Sequence, residues 1–344
     1  MAQSPDITII IKALNEEEHI EACLRSALAA LQGFDGEVVL ADSVSTDRTI
    51  EIAQRFPVRI VQFASAADRG CGAGLQLGYQ FARGRFIYVL DGDMQLDAAF
   101  LRRAHQYLNA HPDVAGVGGR LVDTQFNTLA DNYRAREYAR LRPEQDVASL
   151  GGGGLYRRSA VEQVGYLSNR WLSAYEEAEL GMRLRAAGFR LVRLADAAVF
   201  HSGHNEDSLQ MLLRLWRNRR IQAVGVLLRG ALGRPWLADC LRQCAFVFAA
   251  PVLYGAAAVL AVLAAAGGAR WPLALGGSVL AVLGAAWAVQ AVRKRSGREA
   301  LMALLHWHLC FIGALRGFLR RMPDPAEPIP ARILADGERS RRQY

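Results

Sequence analysis

The longest apolar stretch of the chain lies in its C-terminal half. Between residues 240 and 292 of the 344-residue chain, Arg242 and Arg270 are the only charged side chains. The segments Gln243–Ala269 and Trp271–Val292 each exceed the roughly 20 residues that an apolar helix needs to cross a bilayer. The sequence therefore predicts a transmembrane helical hairpin over residues 241–292, preceded by a separate globular domain over residues 1–205.

Basic residues flank this apolar region. The formal net charge is +8, and arginines cluster at 214–242 and 293–298. Such flanks predict Arg-rich interfacial helices over residues 206–240 and place both ends of the hairpin in the cytoplasm. No secretory signal is recognisable, and five cysteines without a C-x-x-C pair suit a reducing compartment. We therefore expect a multi-pass protein of the cytoplasmic (inner) membrane with its globular domain in the cytoplasm. Basic and aromatic residues are not interleaved in the globular part, so we do not expect nucleic-acid binding.

The region after the hairpin, residues 293–321, contains a shorter apolar segment, Leu301–Leu315. Crossing the membrane here would carry Arg316, Arg320 and Arg321 outside, against the positive-inside rule. An interfacial or re-entrant helix is favoured, and a third membrane segment stays open as the alternative. The Pro-rich, charged residues 322–344 are expected to form a flexible tail.

The N-terminal 205 residues alternate short apolar runs with segments of helical periodicity. This order is typical of an α/β domain with a mostly parallel sheet and helices on both faces. Ligands of such sheets bind beyond the carboxyl ends of the strands, where Asp42 and Asp91 both fall. The predicted strands are Ile7–Ile11, Glu37–Ala41, Val58–Phe63, Phe86–Leu90, Val114–Val117, Arg190–Leu194 and Ala198–His201. The predicted helices begin near Asn15, Thr49, Asp97, Asn127 and Glu177, and a further one ends at Ala82.

Asp91-Gly92-Asp93 follows a hydrophobic strand. Two carboxylates around a small residue can share a divalent cation, and Gly92 lets a ligand approach closely. Mg²⁺ or Mn²⁺ bound by one or two carboxylates keeps positions open for phosphate oxygens. An acidic turn without a ligand is the alternative, which the position at a strand end disfavours.

A second polar cluster runs from Asp42 to Thr49. Part of it is explained by an N-cap for the following helix. Two acids and four hydroxyls exceed what a cap needs, and they could hydrogen-bond a base and a ribose.

Together these motifs resemble the family-2 glycosyltransferases of the GT-A fold, whose nucleotide-diphospho-sugar transferase-like domain has a Rossmann-like mixed sheet. The resemblance covers roughly residues 5–215. The matching residues, in order, are Asn15 and Glu16; Asp42, Ser45, Asp47 and Thr49; Asp91 and Asp93; the loop from Gly153 and Gly154 to Ala160; and Tyr175–Leu180.

The resemblance implies a role for each matched position. Asp42 would read the nucleotide base in a pocket lined by the main chain near Ala13. Asp91 would lie near the ribose and the metal, and Asp93 would be the direct metal ligand. Glu177 stands where the family has an Asp general base, with Glu176 as a rival. His201 follows the last predicted strand and is a candidate third metal ligand.

The same resemblance implies binding surfaces around these residues. The donor would be a UDP- or GDP-linked sugar, bound with Mn²⁺ or Mg²⁺ by the residues Ala13, Asn15, Glu16, Asp42, Ser45, Asp47, Asp91, Gly92 and Asp93. The acceptor would lie near Gly153, Gly154, Tyr156 and Arg157. Trp171, which precedes the candidate base, could shape the acceptor pocket or simply pack. The expected reaction is an inverting transfer to a lipid-linked saccharide in polysaccharide assembly, in contact with other assembly proteins.

Three other functions stay open from the sequence. A polyprenyl-phosphate glycosyltransferase would not need a general base, because its acceptor is already anionic. A nucleotidyltransferase on a similar sheet would release pyrophosphate. A catalytically silent membrane scaffold would bind no nucleotide.

Overall fold

The computed structural model describes residues 4–123, 143–201 and 208–337. The polar helix predicted at residues 127–142 lies outside the described residues. The chain divides into two compact units. One comprises Met1–Asn205 together with Met322–Tyr344, and the other comprises Glu206–Arg321.

A mixed sheet forms the centre of the first unit. Its strands are β1 (Ile7–Ala13), β2 (Gly36–Asp42), β3 (Arg59–Phe63), β4 (Phe86–Asp91), β5 (Met94–Leu96), β6 (Val114–Asp123), β7 (Glu144–Asp146), β8 (Gly154–Arg157), β9 (Arg190–His201) and β10 (Ala331–Asp336). Within the described residues their order is β10-β3-β2-β1-β4-β8-β6-β9-β5, and β7 pairs with β9. Strands β3, β2, β1 and β4 are parallel, whereas β8 runs antiparallel to β4. The predicted α/β fold class is confirmed.

Helices cover both faces of this sheet, which explains the uninterrupted apolar sequence of its central strands. In β1, all positions are buried except the half-buried Lys12. In the described part of this unit the helices are α1 (Ile20–Ala30), α2 (Thr49–Ala53), α3 (Cys71–Phe81), α4 (Ala98–Ala110), α5 (Arg158–Gln163) and α6 (Glu176–Ala186). In α1, the buried side chains Ile20, Cys23, Leu24 and Ala27 repeat at helical spacing. Helix α4 begins where the Asp97 carboxylate accepts a hydrogen bond from the Phe100 amide at 2.8 Å.

The strand register brings polar residues to one edge of the sheet. Ala13 is paired with Asp42 on one side of β1, and Lys12 is paired with Asp91 on the other. The chain then turns, and β5 pairs with β9 so that Met94 lies opposite His201. Residues far apart in sequence therefore meet at the carboxyl ends of β1, β2 and β4.

Two strands are longer than the sequence pattern indicates. Strand β9 is continuous over 12 residues, where we expected two short strands, and β6 extends to Asp123. The register between them is irregular, and such bulges let a strand continue through a break in alternation.

The prediction of a flexible tail is wrong for residues 322–337. Strand β10 pairs antiparallel with β3 at the sheet edge. Ile329 is buried, its amide donates to Gln80 Oε1 at 2.7 Å, and its carbonyl accepts from Gln80 Nε2 at 3.2 Å. Arg59 Nε donates to Asp336 Oδ1 at 3.0 Å. The open edge of β3 provides hydrogen bonds that tail composition alone does not reveal.

The second unit is helical in the described residues. Its helices are α7 (Ser208–Arg217), α8 (Ala223–Ala231), α9 (Leu237–Gln243), α10 (Ala249–Ala266), α11 (Trp271–Lys294) and α12 (Gly297–Leu319). Three segments of the described chain are long and apolar enough to cross a membrane by length and composition. They are Ala245–Ala266, Trp271–Lys294 and Gly297–Leu319, with mean hydropathies of 2.3, 1.8 and 1.4. The third is longer than the Leu301–Leu315 segment seen in the sequence.

Candidate active site

Lys12 lies at the centre of the polar edge, between two carboxylates. Its Nζ is 3.2 Å from Asp91 Oδ1 and 3.3 Å from Glu176 Oε1. Burial alone would lower the pKa of Lys12, but Asp91 and Glu176 together raise that pKa well above its usual value. Lys12 is therefore a permanent cation that ties the end of β4 to the start of α6.

Asp93 lies next to His201, whose Nε2 is 3.4 Å from Asp93 Oδ2. The antiparallel pairing of β5 with β9 produces this contact. Glu16 contributes a further carboxylate to the same cluster. Burial and the nearby Asp93, Asp91 and Asp47 carboxylates raise the pKa of Glu16 to about 7. Repulsion from these carboxylates therefore adds to burial in favouring the protonated form of Glu16.

Gly92 separates the two aspartates in a crowded place. Its amide donates to the Lys12 carbonyl at 2.9 Å. A Cβ at this position would lie 3.1 Å from Glu16 Cγ and 3.2 Å from Ala13 Cβ. A larger residue would push the loop after β1 away from the aspartates, so the spacing of the Asp-x-Asp motif depends on this glycine.

The donor set at this edge fits a hard divalent cation. Among the described residues, no group of three or more His, Cys, Asp or Glu side chains is arranged to hold a metal ion by itself. A partial set is nevertheless what Mg²⁺ or Mn²⁺ uses when substrate phosphates and waters complete its shell. After burial, the neighbouring carboxylates raise the pKa of Glu16, and a bound cation would relieve this repulsion.

Glu177 faces the glycine loop before β8. Its two carboxylate oxygens accept hydrogen bonds from the amides of Gly152 and Gly153, each at 3.2 Å. Burial, followed by repulsion from Glu176, raises the pKa of Glu177 to about 7. A carboxylate oxygen has two lone pairs, so each keeps one for another proton donor. Glu176 differs, since it is held by Lys12.

The backbone around these residues is unusual. Tyr175, which precedes α6, has a φ of +68°, and Gly151, Gly152 and Gly153 all have positive φ. Tyr175 is an aromatic residue in the left-handed backbone conformation, which favours glycine, so the surrounding structure must hold it in this conformation. The turn at Tyr175 sets the helical phase that sends Glu176 towards Lys12 and Glu177 towards the glycine loop.

The residues expected to bind the nucleotide are brought together as one network. Asp42 is fully buried, and it accepts hydrogen bonds from Ser45 Oγ at 2.5 Å and from Gln62 Nε2 at 2.9 Å. The Asn15 amide donates to Ser45 Oγ at 2.9 Å, and the Thr46 amide donates to Asn15 Oδ1 at 2.8 Å. These bonds join the loop after β1 to the loop after β2.

Asp47 completes this junction rather than capping α2 in the usual way. Burial alone would raise its pKa, but hydrogen bonds from the hydroxyl and amide of Thr49 and from the Glu17 amide lower it. Asp47 is therefore an ionised, partly exposed anchor of the loop.

The expected acceptor-side residues separate into two groups. Gly153 lies at the site through its bond to Glu177, and Gly154 starts β8 opposite Val89. Arg157 is not brought to this edge, because antiparallel β8 places it opposite Phe86, at the other end of β4. Its guanidinium donates to the carbonyls of Leu108 and His111, which is a structural role.

Tyr156 and Tyr88 lie inside the sheet next to the glycine loop. Both hydroxyls are buried and make no hydrogen bond with the described residues. Burial, with the Glu177 charge as the next cause, raises the pKa of each. Both are therefore neutral hydroxyls close to Glu177.

Trp171 is held by the C-terminal segment. Its Nε1 donates to the Pro323 carbonyl at 2.9 Å, and the Arg170 guanidinium lies 4.9 Å from the centroid of its ring. Arg170 also donates to the Glu327 carbonyl at 3.1 Å. The segment that follows α12 thus supports the loop between α5 and α6.

Sequence reasoning missed Lys12 and Tyr88 as site residues. Lys12 stood out in the sequence as a charge at the end of an apolar strand, which is a usable signal. Tyr88 carried no signal, because alternation within a buried strand does not show which hydroxyl approaches a loop.

Comparisons with known proteins agree with this geometry. The mannosyltransferase PcManGT from Pyrobaculum calidifontis, solved with GDP-Man and Mn2+, superposes with a TM-score of 0.57 at 19% identity, over 92% of this chain and 88% of that one. The fold is therefore GT-A-like. Residues 8–165 match the model of glycosyl transferase family 2.

Curated relatives match over parts of their length. A dolichol-phosphate mannosyltransferase from Pyrococcus furiosus is 29% identical over 120 residues, which are 34% of this chain and 33% of the relative. The succinoglycan biosynthesis protein ExoO from Rhizobium meliloti is 37% identical over 125 residues, 34% of this chain and 36% of the relative. The chain thus spans about a third of the length of these relatives.

Proposed function

We propose that this protein is an inverting glycosyltransferase that moves a sugar from a UDP- or GDP-linked donor to a lipid-linked saccharide, with Glu177 as general base. The observation that carries the proposal is the half-buried Glu177 carboxylate, which accepts two amide hydrogen bonds beside the Asp91–Lys12–Glu176 ion pairs and has a pKa of about 7. A base with this pKa accepts a proton from an acceptor hydroxyl most effectively near neutral pH.

The remaining residues would bind and orient the donor. The junction of Asp42, Ser45 and Asn15 would form the base and ribose pocket, and Asp91 would lie beneath the ribose. Asp93 and His201 suit a divalent cation better than Asp91 does, because Asp91 is already paired with Lys12. When bound there, Mn²⁺ or Mg²⁺ would stabilise the charge on the departing nucleoside diphosphate.

Glu176 would act in this scheme as the partner of Lys12. The ion pair keeps the Glu176 carboxylate away from acid–base chemistry and raises the pKa of its neighbour Glu177 by repulsion. The glycine loop would hold the carboxylate of Glu177 in place through two amide hydrogen bonds.

The second unit supports an acceptor that resides in a membrane. Its long apolar helices and Arg-rich flanks suit a cytoplasmic-membrane protein whose catalytic domain faces the cytoplasm. We assign residues 1–205 to catalysis, 206–240 to interfacial helices and 241–292 to a transmembrane hairpin. The relative ExoO, named for succinoglycan biosynthesis, supports a role in polysaccharide assembly alongside other assembly proteins.

Nucleoside diphosphate release tests the proposal. Purified protein is incubated with UDP- and GDP-linked sugars and lipid-linked saccharide, with Mn²⁺, Mg²⁺ or a chelator. Glu177→Gln and Asp93→Asn should each reduce turnover at least about 100-fold, whereas Glu176→Gln should retain measurable turnover. Undiminished turnover in both of the first two variants would refute the mechanism.

A polyprenyl phosphate is the second candidate acceptor. The observation that favours it is the match to a protein named dolichol-phosphate mannosyltransferase. A phosphate acceptor needs no general base, so Glu177→Gln would then lower turnover only slightly while Asp93→Asn abolished it. A protein that binds no nucleotide sugar with Mn²⁺, measured by thermal shift, would instead be a membrane scaffold.

A further inference from the structure

The chain leaves the sheet-containing unit at residue 205 and re-enters it at residue 322. The residues after 322 are anchored in this unit, because β10 is hydrogen-bonded along β3 and Ile329 is buried. A strand cannot pair with a sheet across a bilayer. The two ends of the helical unit therefore lie on the same side of any membrane, and the number of crossings between them is even.

This condition conflicts with the composition of the helical unit. Within the described residues it contains three segments that could each cross a membrane by length and composition. At most two of them can do so. The most apolar pair is α10 and α11, with mean hydropathies of 2.3 and 1.8 for their segments, and α12 is the least apolar at 1.4. Helices α10 and α11 are joined by a short turn at residues 267–270, as expected for a spanning hairpin.

Packing within the helical unit independently places the second half of α12. A Cβ added at Gly317 would overlap the Gln222 carbonyl oxygen, and one added at Gly225 would overlap the Ala314 carbonyl oxygen. Arg229 Nη1 donates to the Phe318 carbonyl at 2.8 Å. The second half of α12 is therefore in direct backbone contact with α8 and the turn before it.

That contact determines the side of the membrane on which α12 ends. The segment α7–α8 precedes the first possible crossing, so it lies on the side of the catalytic unit. It also carries arginines at positions 214, 217, 219, 220 and 229. If residues 313–318 were in the bilayer or beyond it, these guanidinium groups would have to enter the hydrocarbon, which is costly.

The solvent-exposed face of α12 indicates which surroundings this helix contacts if it does not cross the bilayer. Five exposed apolar side chains recur at helical spacing, and at 100° per residue they fall within an arc of about 80°. They are Leu301 (55% exposed), Leu305 (39%), Ile312 (42%), Leu315 (48%) and Leu319 (76%). The opposite face is buried and includes Cys310, Gly313, Ala314 and Gly317. Arg316, Arg320 and Arg321 follow at its end, where anionic head groups would meet them.

We propose that the chain crosses the membrane twice, through α10 and α11, and that α12 lies along the membrane surface on the catalytic side. Its stripe of Leu301, Leu305, Ile312, Leu315 and Leu319 contacts lipid, and its opposite face contacts α8. Within the arc of the stripe, His308 contacts Tyr254 near the start of α10, with 3.0 Å between His308 Nε2 and the Tyr254 hydroxyl. This placement does not depend on the identity of donor or acceptor, and its tests need no turnover.

Cysteine labelling tests the number of crossings. Ala269→Cys, Ser296→Cys and Ala326→Cys report the two interhelical turns and the segment after α12. In spheroplasts, a membrane-impermeant maleimide should label Ala269→Cys alone, and the other two should be labelled only after permeabilisation. The unsubstituted chain is the control for its five native cysteines. Labelling of Ala326→Cys in intact spheroplasts would establish three crossings and overturn the proposal. Protection of Ala269→Cys would overturn the hairpin.

Spin-label depth tests the orientation of α12 in the full protein reconstituted in liposomes. Labels at Leu301→Cys and Leu319→Cys are separated by about 27 Å along the axis, at 1.5 Å per residue. They should report equal depth within a few ångströms if α12 lies along the surface. Labels at Val252→Cys and Val262→Cys on α10 are the matched control and should differ in depth by about 15 Å. A depth difference above about 15 Å on α12 would overturn the proposal.

Discussion

The most informative perturbation of the site is Glu177→Gln, because it tests the half-buried carboxylate through stability as well as through activity. Burial and Glu176 raise the pKa of Glu177 from 4.5 to about 7. The folded protein therefore binds this proton more tightly than the unfolded chain does. The contribution of Glu177 to stability is favourable at low pH, declines as the pH rises from about 4.5 to about 7, and is constant above that.

The magnitude follows from the two pKa values. Their difference corresponds to about 3 kcal/mol at 1.36 kcal/mol per pKa unit, of which about 2.5 kcal/mol falls between pH 5 and pH 8.5. Glutamine carries no charge, but it can accept only one of the hydrogen bonds from Gly152 and Gly153, which costs about 1 kcal/mol. The variant should therefore be less stable than the parent protein at pH 5 and more stable at pH 8.5.

The assay is the melting temperature of the full protein in detergent between pH 5 and pH 8.5. At roughly 2–4 °C per kcal/mol for a unit of this size, the variant-minus-parent difference should rise by about 5–10 °C and change sign. Glu176→Gln is the matched control, since it removes a neighbouring carboxylate and keeps Glu177. A variant-minus-parent difference that is constant across this pH range would refute the assignment of a raised pKa to Glu177.

Four further outcomes are expected. Turnover of the parent enzyme should rise with pH to a plateau above about pH 7, and in Glu176→Gln the midpoint should move to lower pH, because repulsion raises the pKa of Glu177; an unchanged midpoint would contradict this. Asp93→Asn should abolish the Mn²⁺-dependent part of the thermal shift caused by nucleotide sugar while leaving the melting temperature without ligand nearly unchanged. Gly92→Ala should destabilise the protein by about 1–3 kcal/mol through overpacking, seen as a lower melting temperature. Glu179→Ala should lower stability by about 3–5 kcal/mol, since it leaves Arg183 buried without the carboxylate that it now contacts at 2.8 Å; a loss below 1 kcal/mol would contradict that reasoning.

Much of the fold follows from local sequence pattern. The central strands are uninterrupted apolar runs because helices cover both faces, and each run ends where a polar residue reaches the sheet edge. The position of Asp91 and Asp93 could therefore be predicted from the end of one strand. Their relation to Lys12 could not, because it depends on the pairing of β1 with β4, and no short turn joins these two strands to set their register.

The distinction between Glu176 and Glu177 shows a second limit of prediction from the sequence. Adjacent helical residues point about 100° apart, so the phase at which α6 begins decides which carboxylate meets Lys12. That phase is set by the positive φ of Tyr175, an aromatic residue whose sequence identity predicts the opposite conformation. The family resemblance favoured Glu177, and the geometry supplies a physical reason for that choice.

The C-terminal strand was missed for a related reason. Its partner β3 lies more than 260 residues earlier in the chain, and no local signal connects them. Pro and charged residues made the tail resemble a disordered segment, while its Ile329, Ile333 and Leu334 matter only once an open strand edge is available.

The pairing of β10 with β3 also has a consequence for biosynthesis. At about 5–20 residues per second, roughly 15–50 s pass between translation of β3 and translation of its partner. During that interval the helical region emerges and, in the proposed topology, enters the membrane, while the edge of β3 is open to pairing with other chains. Strand β10 closes that edge, so its pairing with β3 forms only after the apolar helices have emerged. Premature termination would thus produce an inserted protein with an exposed sheet edge, which cellular proteases and chaperones recognise.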